Sequence, residues 1–255
     1  MCLILFAWQS HPRYRLVLAA NRDEFHDRPT AAADYWPDSP DLLAGRDLQA
    51  GGTWLGVTRQ GRFSAITNYR EPANKEPLLE HSRGHLVRDF LLAKTSSVAF
   101  ADSLQKQGAL FRGFNLLLGD TDRLTYISNR NEDMEIVKPG IHGLSNHLLN
   151  TDWPKVQQGR ERLKTLLDED RIDPEALLEV LAASSAVSDC PPTDSSNRLV
   201  AENLNRLTFI TSPEYGTRSS TVLLQAYDGK SVLVERQFDA SGRPSGTQSH
   251  EFTIV

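Results

Sequence analysis

Met1-Cys2-Leu3-Ile4-Leu5-Phe6-Ala7-Trp8 opens the chain, with a cysteine directly behind the initiator methionine and an apolar run directly behind the cysteine. A short, continuous apolar run of this kind predicts a buried strand over Cys2–Trp8. After a turn at His11-Pro12-Arg13, the run Tyr14-Arg15-Leu16-Val17-Leu18-Ala19-Ala20 predicts a second strand, and the two together a hairpin. The second run stops at Asn21-Arg22-Asp23-Glu24. Four polar residues after an apolar run mark a strand end that opens onto a surface or a site.

Outward from that hairpin, residues 27–50 are rich in Pro, Asp and Ala and read as an irregular excursion. Thr53–Thr58 and Arg62–Asn68 predict a second hairpin about Gln60-Gly61, again ending in polar residues, Asn68-Tyr69-Arg70. Pro72–Pro77 reads as a loop. Ser82 is a candidate N-cap for a helix over Arg83–Lys94, with Leu86, Val87, Phe90 and Leu91 on one face, and Ser97–Gln105 reads as a short second helix. Phe114–Leu118 and Leu124–Asn129 predict a third strand pair, followed by a short extended piece at Glu135–Lys138. Pro154 in a first turn starts a helix that runs to about Asp168, and Asp173-Pro174 starts another. Residues 184–206, which hold Cys190, read as loop. The tail returns to strands at Ser219–Tyr227, Ser231–Phe238 and Gln248–Val255.

Strands thus gather into hairpins and helices into separate groups. That order predicts an α+β fold with antiparallel sheets and not a doubly wound parallel one, and no linker or repeat divides residues 1–255, which read as a single domain.

Composition narrows the classes of function. A net charge of −5 argues against nucleic acid as the main partner. No apolar stretch reaches the roughly 20 residues that span a bilayer, so stable membrane insertion is not expected. The N-terminus has no basic n-region and no small-residue cleavage site, so no signal peptide is expected. Two cysteines, Cys2 and Cys190, make no disulfide framework, and a reducing cytoplasm is the simplest compartment. Oligomeric state is not legible.

The chemistry begins at Cys2. Removal of Met1 would leave a thiol and a free α-amine on one residue. Their ordinary pKa values are about 8.5 and about 7.7–8.0, so the amine can accept the thiol proton near neutrality. Taken alone, Cys2 is more simply a buried cysteine that starts a strand. The polar clusters at strand and turn ends change that weighting. Asn21–Glu24, Asn68-Tyr69-Arg70, Ser145-Asn146 and Thr217-Arg218-Ser219-Ser220 hold what amide or ester cleavage needs: asparagine amides as oxyanion donors, and arginines that favour a thiolate.

Asn21-Arg22-Asp23-Glu24 resembles the signature tetrad of the NRDE, or transport-and-Golgi-organisation, family. So do Met1-Cys2, Gly45-Arg46-Asp47, Gly51-Gly52-Thr53-Trp54-Leu55-Gly56, Thr67-Asn68-Tyr69-Arg70, Gly143-Leu144-Ser145-Asn146 and Tyr215-Gly216-Thr217-Arg218-Ser219-Ser220-Thr221. The ordered set covers most of the chain. It implies membership of the N-terminal nucleophile hydrolase superfamily and its four-layer αββα sandwich of two antiparallel sheets. By resemblance to the cysteine amidases of that superfamily, Cys2 is the expected nucleophile. Arg22 and Asp23 hold the thiolate and amine, Asn68 and Asn146 bind the oxyanion, and Arg218 completes the site. The expected reaction is cleavage of a C–N amide or a thioester in a small acylated molecule, without cofactor or metal. The amidases space their Arg and Asp three residues apart, a spacing that here joins Asn21 to Glu24. Adjacent strand residues face opposite sides, so Arg22 and Asp23 reach Cys2 together only through a bend or bulge.

The resemblance also implies a rival: a non-enzymatic binding or trafficking protein for haem or an acyl-CoA-like hydrophobic anion, with Arg22 and Arg218 pairing its carboxylates. A scaffold role ranks last, because no amphipathic or charged segment supports it. Plainer readings stand beside each residue. Arg22–Asp23 reads equally as an ion pair at a strand end, Asn68 and Asn146 as turn residues, and Arg218 as a surface residue. Trp36, Trp54 and Tyr69 line a pocket or fill the core. His81, His85, His142 and His147 lack a third ligand at metal spacing.

Overall fold

A computed structural model describes residues 2–71, 81–182 and 205–255. The loop readings for Pro72–Pro77 and for most of 184–206, Cys190 included, lie outside the described residues, as does Met1. The strands, in chain order, are β1 (Cys2–Trp8), β2 (Tyr14–Phe25), β3 (Thr30–Trp36), β4 (Ser39–Asp47), β5 (Leu55–Thr58), β6 (Phe63–Asn68), β7 (Phe114–Gly119), β8 (Leu124–Ser128), β9 (Glu135–Ile136), β10 (Gly140–Leu144), β11 (Tyr215–Ala226), β12 (Lys230–Phe238) and β13 (Pro244–Thr253). The helices are α1 (Gly84–Leu92), α2 (Ser97–Gln105), α3 (Pro154–Asp168) and α4 (Pro174–Ala182).

Two antiparallel sheets result, one ordered β10-β1-β2-β11-β12-β13 and the other β3-β4-β5-β6-β7-β8-β9. Side-chain alternation builds four layers from them. Ile4, Phe6, Trp8, Leu16, Leu18 and Ala20 point inward and meet Leu55, Val57, Phe63, Ala65, Leu117 and Tyr126 of the other sheet. Leu3, Leu5, Val17 and Ala19 point outward under Val156 and Leu163 of α3 and Leu177 and Leu181 of α4. On the far side, Leu42, Ile66, Leu116 and Leu118 take Leu86, Val87, Phe90 and Leu91 of α1. This is the αββα sandwich. β1 lies between β10 and β2, buried on both faces, which is why its sequence reads as a continuous apolar run.

Three segments depart from the sequence reading. Residues 27–50 are not irregular, because β3 and β4 pair across them. Their pairing carries register shifts at Ala31/Asp34 and Tyr35/Trp36, and such shifts break the two-residue alternation that would have announced strands. β2 continues through the polar tetrad to Phe25, pairing with β11, which itself begins at Tyr215. Gly140–Leu144, unassigned in the sequence reading, is a strand on the edge beside β1. No described helix is long and apolar enough to cross a membrane.

Candidate functional site

Cys2 is the first residue of β1, and its phase places its side chain with Ile4 and Phe6, toward the space between the sheets. Directly across the pairing stands Arg22 of β2, on the same face. A cavity of about 540 Å³ opens there. Its walls include Cys2, Arg22, Asp23 and Glu24 from the hairpin, Trp54 and Asn68 from the second sheet, and Ser82, Arg83 and Gly84 at the start of α1. The Trp54 ring lies against the Arg22 guanidinium at 4.3 Å and keeps it flat on the cavity wall. Arg22 makes a long ion pair to Glu24 at 3.9 Å, while its Nη1 is buried with no hydrogen-bond acceptor among the described residues. A buried, unanswered guanidinium N–H is costly, so a group that brings negative charge to Cys2 gains a partner at once.

Strand alternation does send Arg22 and Asp23 to opposite faces. Both reach Cys2 because β1 begins there, with one beside the thiol and the other behind the backbone. Asp23 is buried on the helix side and accepts the Thr217 hydroxyl at 2.7 Å. The expected bulge is present, but in the partner strand. Thr217 pairs with Asp23 and Ser219 with Arg22, which leaves Arg218 as the extra residue of β11. Its guanidinium turns away from the cavity and donates through Nη1 to the carbonyls of Phe25, His26 and Arg28 at 2.7, 3.0 and 3.2 Å. Arg218 thus fastens the turn after β2. Asn21 and Glu24, the pair at the amidase spacing, do not share the site. Asn21 donates to the carbonyls of Leu181 and Thr208 and accepts from Ser220, all on the helix side, whereas Glu24 stays on the cavity wall.

The two asparagines divide their work. Asn68 lines the cavity, and its side-chain amide has no hydrogen-bond partner among the described residues, which leaves its N–H bonds for a ligand. Asn146 is buried. Its Nδ2 donates to the Asn68 carbonyl at 2.8 Å, and its Oδ1 accepts the Cys2 backbone nitrogen at 3.4 Å. Ser145 donates its hydroxyl to the Cys2 carbonyl at 2.7 Å. The Ser145-Asn146 turn therefore grips the backbone of Cys2 on both sides, and one N–H of the Asn146 amide is committed to the Asn68 carbonyl.

The remaining motif residues build the walls. Asp47 takes the Arg28 guanidinium in a forked pair and caps the backbone N–H groups of Gln49 and Ala50. A Cβ on Gly52 would stand 2.5 Å from the Gly84 carbonyl carbon, so only glycine lets this loop close on α1. Trp36 is core, with its indole N–H on the Ala44 carbonyl, and Tyr69 hydrogen-bonds His147 at 3.0 Å. The rings of His85 and His142 meet the carbonyls of Ala50 and Lys138, and His81 lies beside Phe111. Among the described residues no three His, Cys, Asp or Glu side chains form a metal-holding group.

A family model described as Transport and Golgi organisation 2 matches residues 1–240. The chain belongs to that family. Two mammalian proteins named Transport and Golgi organization protein 2 homolog match over 276 residues, at 36% identity for the Bos taurus protein and 34% for the human one. Each alignment covers 100% of this chain and 99% of the relative. Transport and Golgi organization protein 2 of Drosophila melanogaster is 27% identical over 92% of this chain and 91% of its own. Among solved structures, a Caenorhabditis elegans N-acylethanolamine-hydrolyzing acid amidase ortholog superposes with a TM-score of 0.50 over 88% of this chain and 92% of that one. At 15% identity that likeness shows a shared N-terminal nucleophile hydrolase fold.

Electrostatics in this Transport and Golgi organisation 2 member set the resting state of the cysteine. Cys2 keeps part of its surface open, yet protein crowds its thiol closely. Burial pushes the thiol above its ordinary value, and the Asp23 carboxylate adds to the push. The N-terminal ammonium, the Asp23 backbone N–H and the Arg22 guanidinium lean the other way. Burial likewise raises Asp23, opposed first by the N-terminal ammonium, then by Lys155, by the Thr217 hydroxyl and by Arg22. Lys155 is the residue that sequence reasoning missed. It has no exposed surface, and burial lowers it from 10.5 to about 8 against the attraction of Asp23 and Cys2.

Proposed function

We propose that this chain is an N-terminal cysteine hydrolase that cleaves a C–N amide or a thioester in a small acylated molecule. The observation that carries the proposal is Cys2 on the wall of a cavity with the Nη1 of Arg22 buried beside it and unpartnered among the described residues. Removal of Met1 exposes the Cys2 amine, and Asn146 Oδ1 already holds that nitrogen. The amine takes the thiol proton and the sulfur attacks the acyl carbonyl. The carbonyl π-pair moves to oxygen, where the Asn68 amide supplies a donor. Collapse of the tetrahedral adduct breaks the C–N or C–S bond, and the amine's proton goes to the leaving group. Water, deprotonated by the same amine, releases the acid and restores the thiol. The 15%-identical amidase lends only its fold to this reading. The cavity walls are mostly charged or polar, with Ala50, Trp54 and Ile66 the apolar exceptions, so a compact polar molecule suits them better than a long acyl chain.

Intact mass should show loss of Met1, and a panel of short acyl amides and thioesters should give turnover in wild type but none in Cys2→Ala. Retention of Met1 together with no turnover would sink the proposal. One observation favours a second reading. Burial pushes the Cys2 thiol up, which disfavours the thiolate a nucleophile needs and leaves room for a carrier of haem or of an acyl-CoA-like anion. A haemin absorbance titration separates the two, because saturable binding that Cys2→Ala weakens, with no turnover of any acyl substrate, supports the carrier.

A further inference from the structure

Lys155 breaks three local rules at once. It sits in the first turn of α3, directly after Pro154, where the positive end of the helix dipole disfavours a cation and where no acidic residue offsets it. It has no exposed surface, a state almost never adopted by lysine without a charged partner. It occupies a position next to Val156, which packs on the outward residues of β1, and burial there is a place for an apolar side chain. Local rules broken together mark a functional position.

The partner is on the page. Asp23 is buried on the same, helix-facing side of the sheet, at the register where β2 passes the first residue of β1. Lys155 is drawn to Asp23 and to Cys2, and it is repelled by Arg70, which stacks over Trp153 at 5.6 Å. The Cys2 thiol on the cavity side and the Asp23 carboxyl on the helix side thus flank the start of β1, with Arg22 beside the thiol and Lys155 on the helix side with Asp23. The N-terminal ammonium opposes the desolvation of Asp23 most and Lys155 next, so removing Lys155 leaves a buried carboxylate less compensated.

We propose that Lys155 is a positioning residue of the Cys2 site, whose ammonium keeps the Asp23 carboxylate ionised behind the Cys2 nitrogen and balances the thiolate when it forms. The inference rests on the reading of Cys2 as the reactive group. It assigns Lys155 no contact with substrate. Its role is to let carboxylate and thiolate exist side by side, so that the proton leaving sulfur does not lodge on Asp23.

The test reads Cys2 directly. Full-length protein is alkylated with iodoacetamide across pH 6–10 and the N-terminal peptide is followed by mass. At pH 7, where Lys155 carries its proton, Lys155→Met should slow alkylation of Cys2 about tenfold, the effect of raising a thiol by about one unit. Lys155→Arg should stay near the wild-type rate, because charge and not shape is required. A purely structural lysine would give equal rates in all three folded proteins, and that result overturns the inference while leaving the Cys2 reading intact. Should Lys155→Met not fold, Asp23→Asn serves in its place. Nitrogen-15 resonances of Lys155 should titrate near 8 in wild type and lower in Asp23→Asn, because the carboxylate that supported the ammonium is gone. A Lys155 titration unmoved by Asp23→Asn overturns the inference. A wild-type Cys2 that iodoacetamide never modifies at any pH overturns the reading and the inference together.

Discussion

Asn146→Ala should separate the grip on Cys2 from the rest of the fold. The wild-type side chain is buried and makes three hydrogen bonds, donating to the Asn68 carbonyl at 2.8 Å and accepting the Cys2 nitrogen at 3.4 Å and the Ser145 hydroxyl at 3.3 Å. Alanine removes them all. Ser145 keeps its stronger bond to the Cys2 carbonyl, so its hydroxyl is not orphaned. The Asn68 carbonyl loses a short bond at the cavity edge, and leaving such a group unanswered costs about 1–3 kcal/mol. The Cys2 nitrogen loses a long one, for which about 1 kcal/mol is a fair measure. The sum, about 3 kcal/mol, should lower the melting temperature by about 6–12 °C in a chain of this size. Urea unfolding with an unchanged m-value measures the first figure, and calorimetry the second. Asn146→Asp keeps both acceptor roles and gives up only the donor, so it should recover about a third of the loss. If Asn146→Ala costs less than about 0.5 kcal/mol, the turn does not hold the cysteine and the geometry ascribed to it is wrong. If alanine and aspartate are equally damaging, the donor to Asn68 accounts for the whole effect and the Cys2 bond for none.

Further outcomes follow from contacts already described. Gly45→Ala places a Cβ 2.3 Å from the Trp54 ring, which must move off Arg22; tryptophan fluorescence should shift, and loss of the cation–π contact should cost about 1 kcal/mol on chemical unfolding. In Gly119→Ala the new Cβ lies 2.1 Å from Phe63 in the middle of the second sheet, so overpacking should cost about 1–3 kcal/mol without altering Cys2 alkylation. The lowered titration of Lys155 gives a signed pH effect. Between about 8 and 10.5 the unfolded chain binds the proton and the folded chain does not, so wild type should gain stability relative to Lys155→Met as pH rises through that window. Asp23 is raised in the fold, so its contribution has the opposite sense. It is complete below the ordinary carboxyl range, near 3.8, and is lost as pH climbs through the folded value, and Asp23→Asn should flatten that limb of the acid stability curve.

Much of the architecture is readable in residue order because the layers obey simple periodicities. Continuous apolar runs at Cys2–Trp8 and Phe114–Leu118 announce strands buried on both faces, and Leu86-Val87 with Phe90-Leu91 announces a helix with one buried face. What stayed hidden has physical causes. Asn21 and Asp23 look like a strand end because they are polar, yet their partners are Leu181, Thr208, Ser220 and Thr217 and not water, so the strand runs on. β3 escapes notice because Ala31 to Ala33 give no contrast between faces and a register shift follows. At the site, Cys2 with Arg22 and Asn68 is legible as chemistry from motif positions. Arg218 looked equally suited, and only the bulge shows that its charge points at three carbonyls. Lys155 carries no sequence mark at all, since a lysine in a helical first turn is normally solvated. Its burial depends on where α3 lands on the sheet.

The placement of β1 has a practical consequence. Its first residue stands on the cavity wall with its nitrogen in the hold of Asn146, whereas Val255 at the other terminus is 85% exposed. Anything fused ahead of Cys2 is joined to a residue on the cavity wall, so a purification handle at that end blocks the amine. A cleavable leader ahead of Cys2 becomes a means of freeing that amine at a chosen moment.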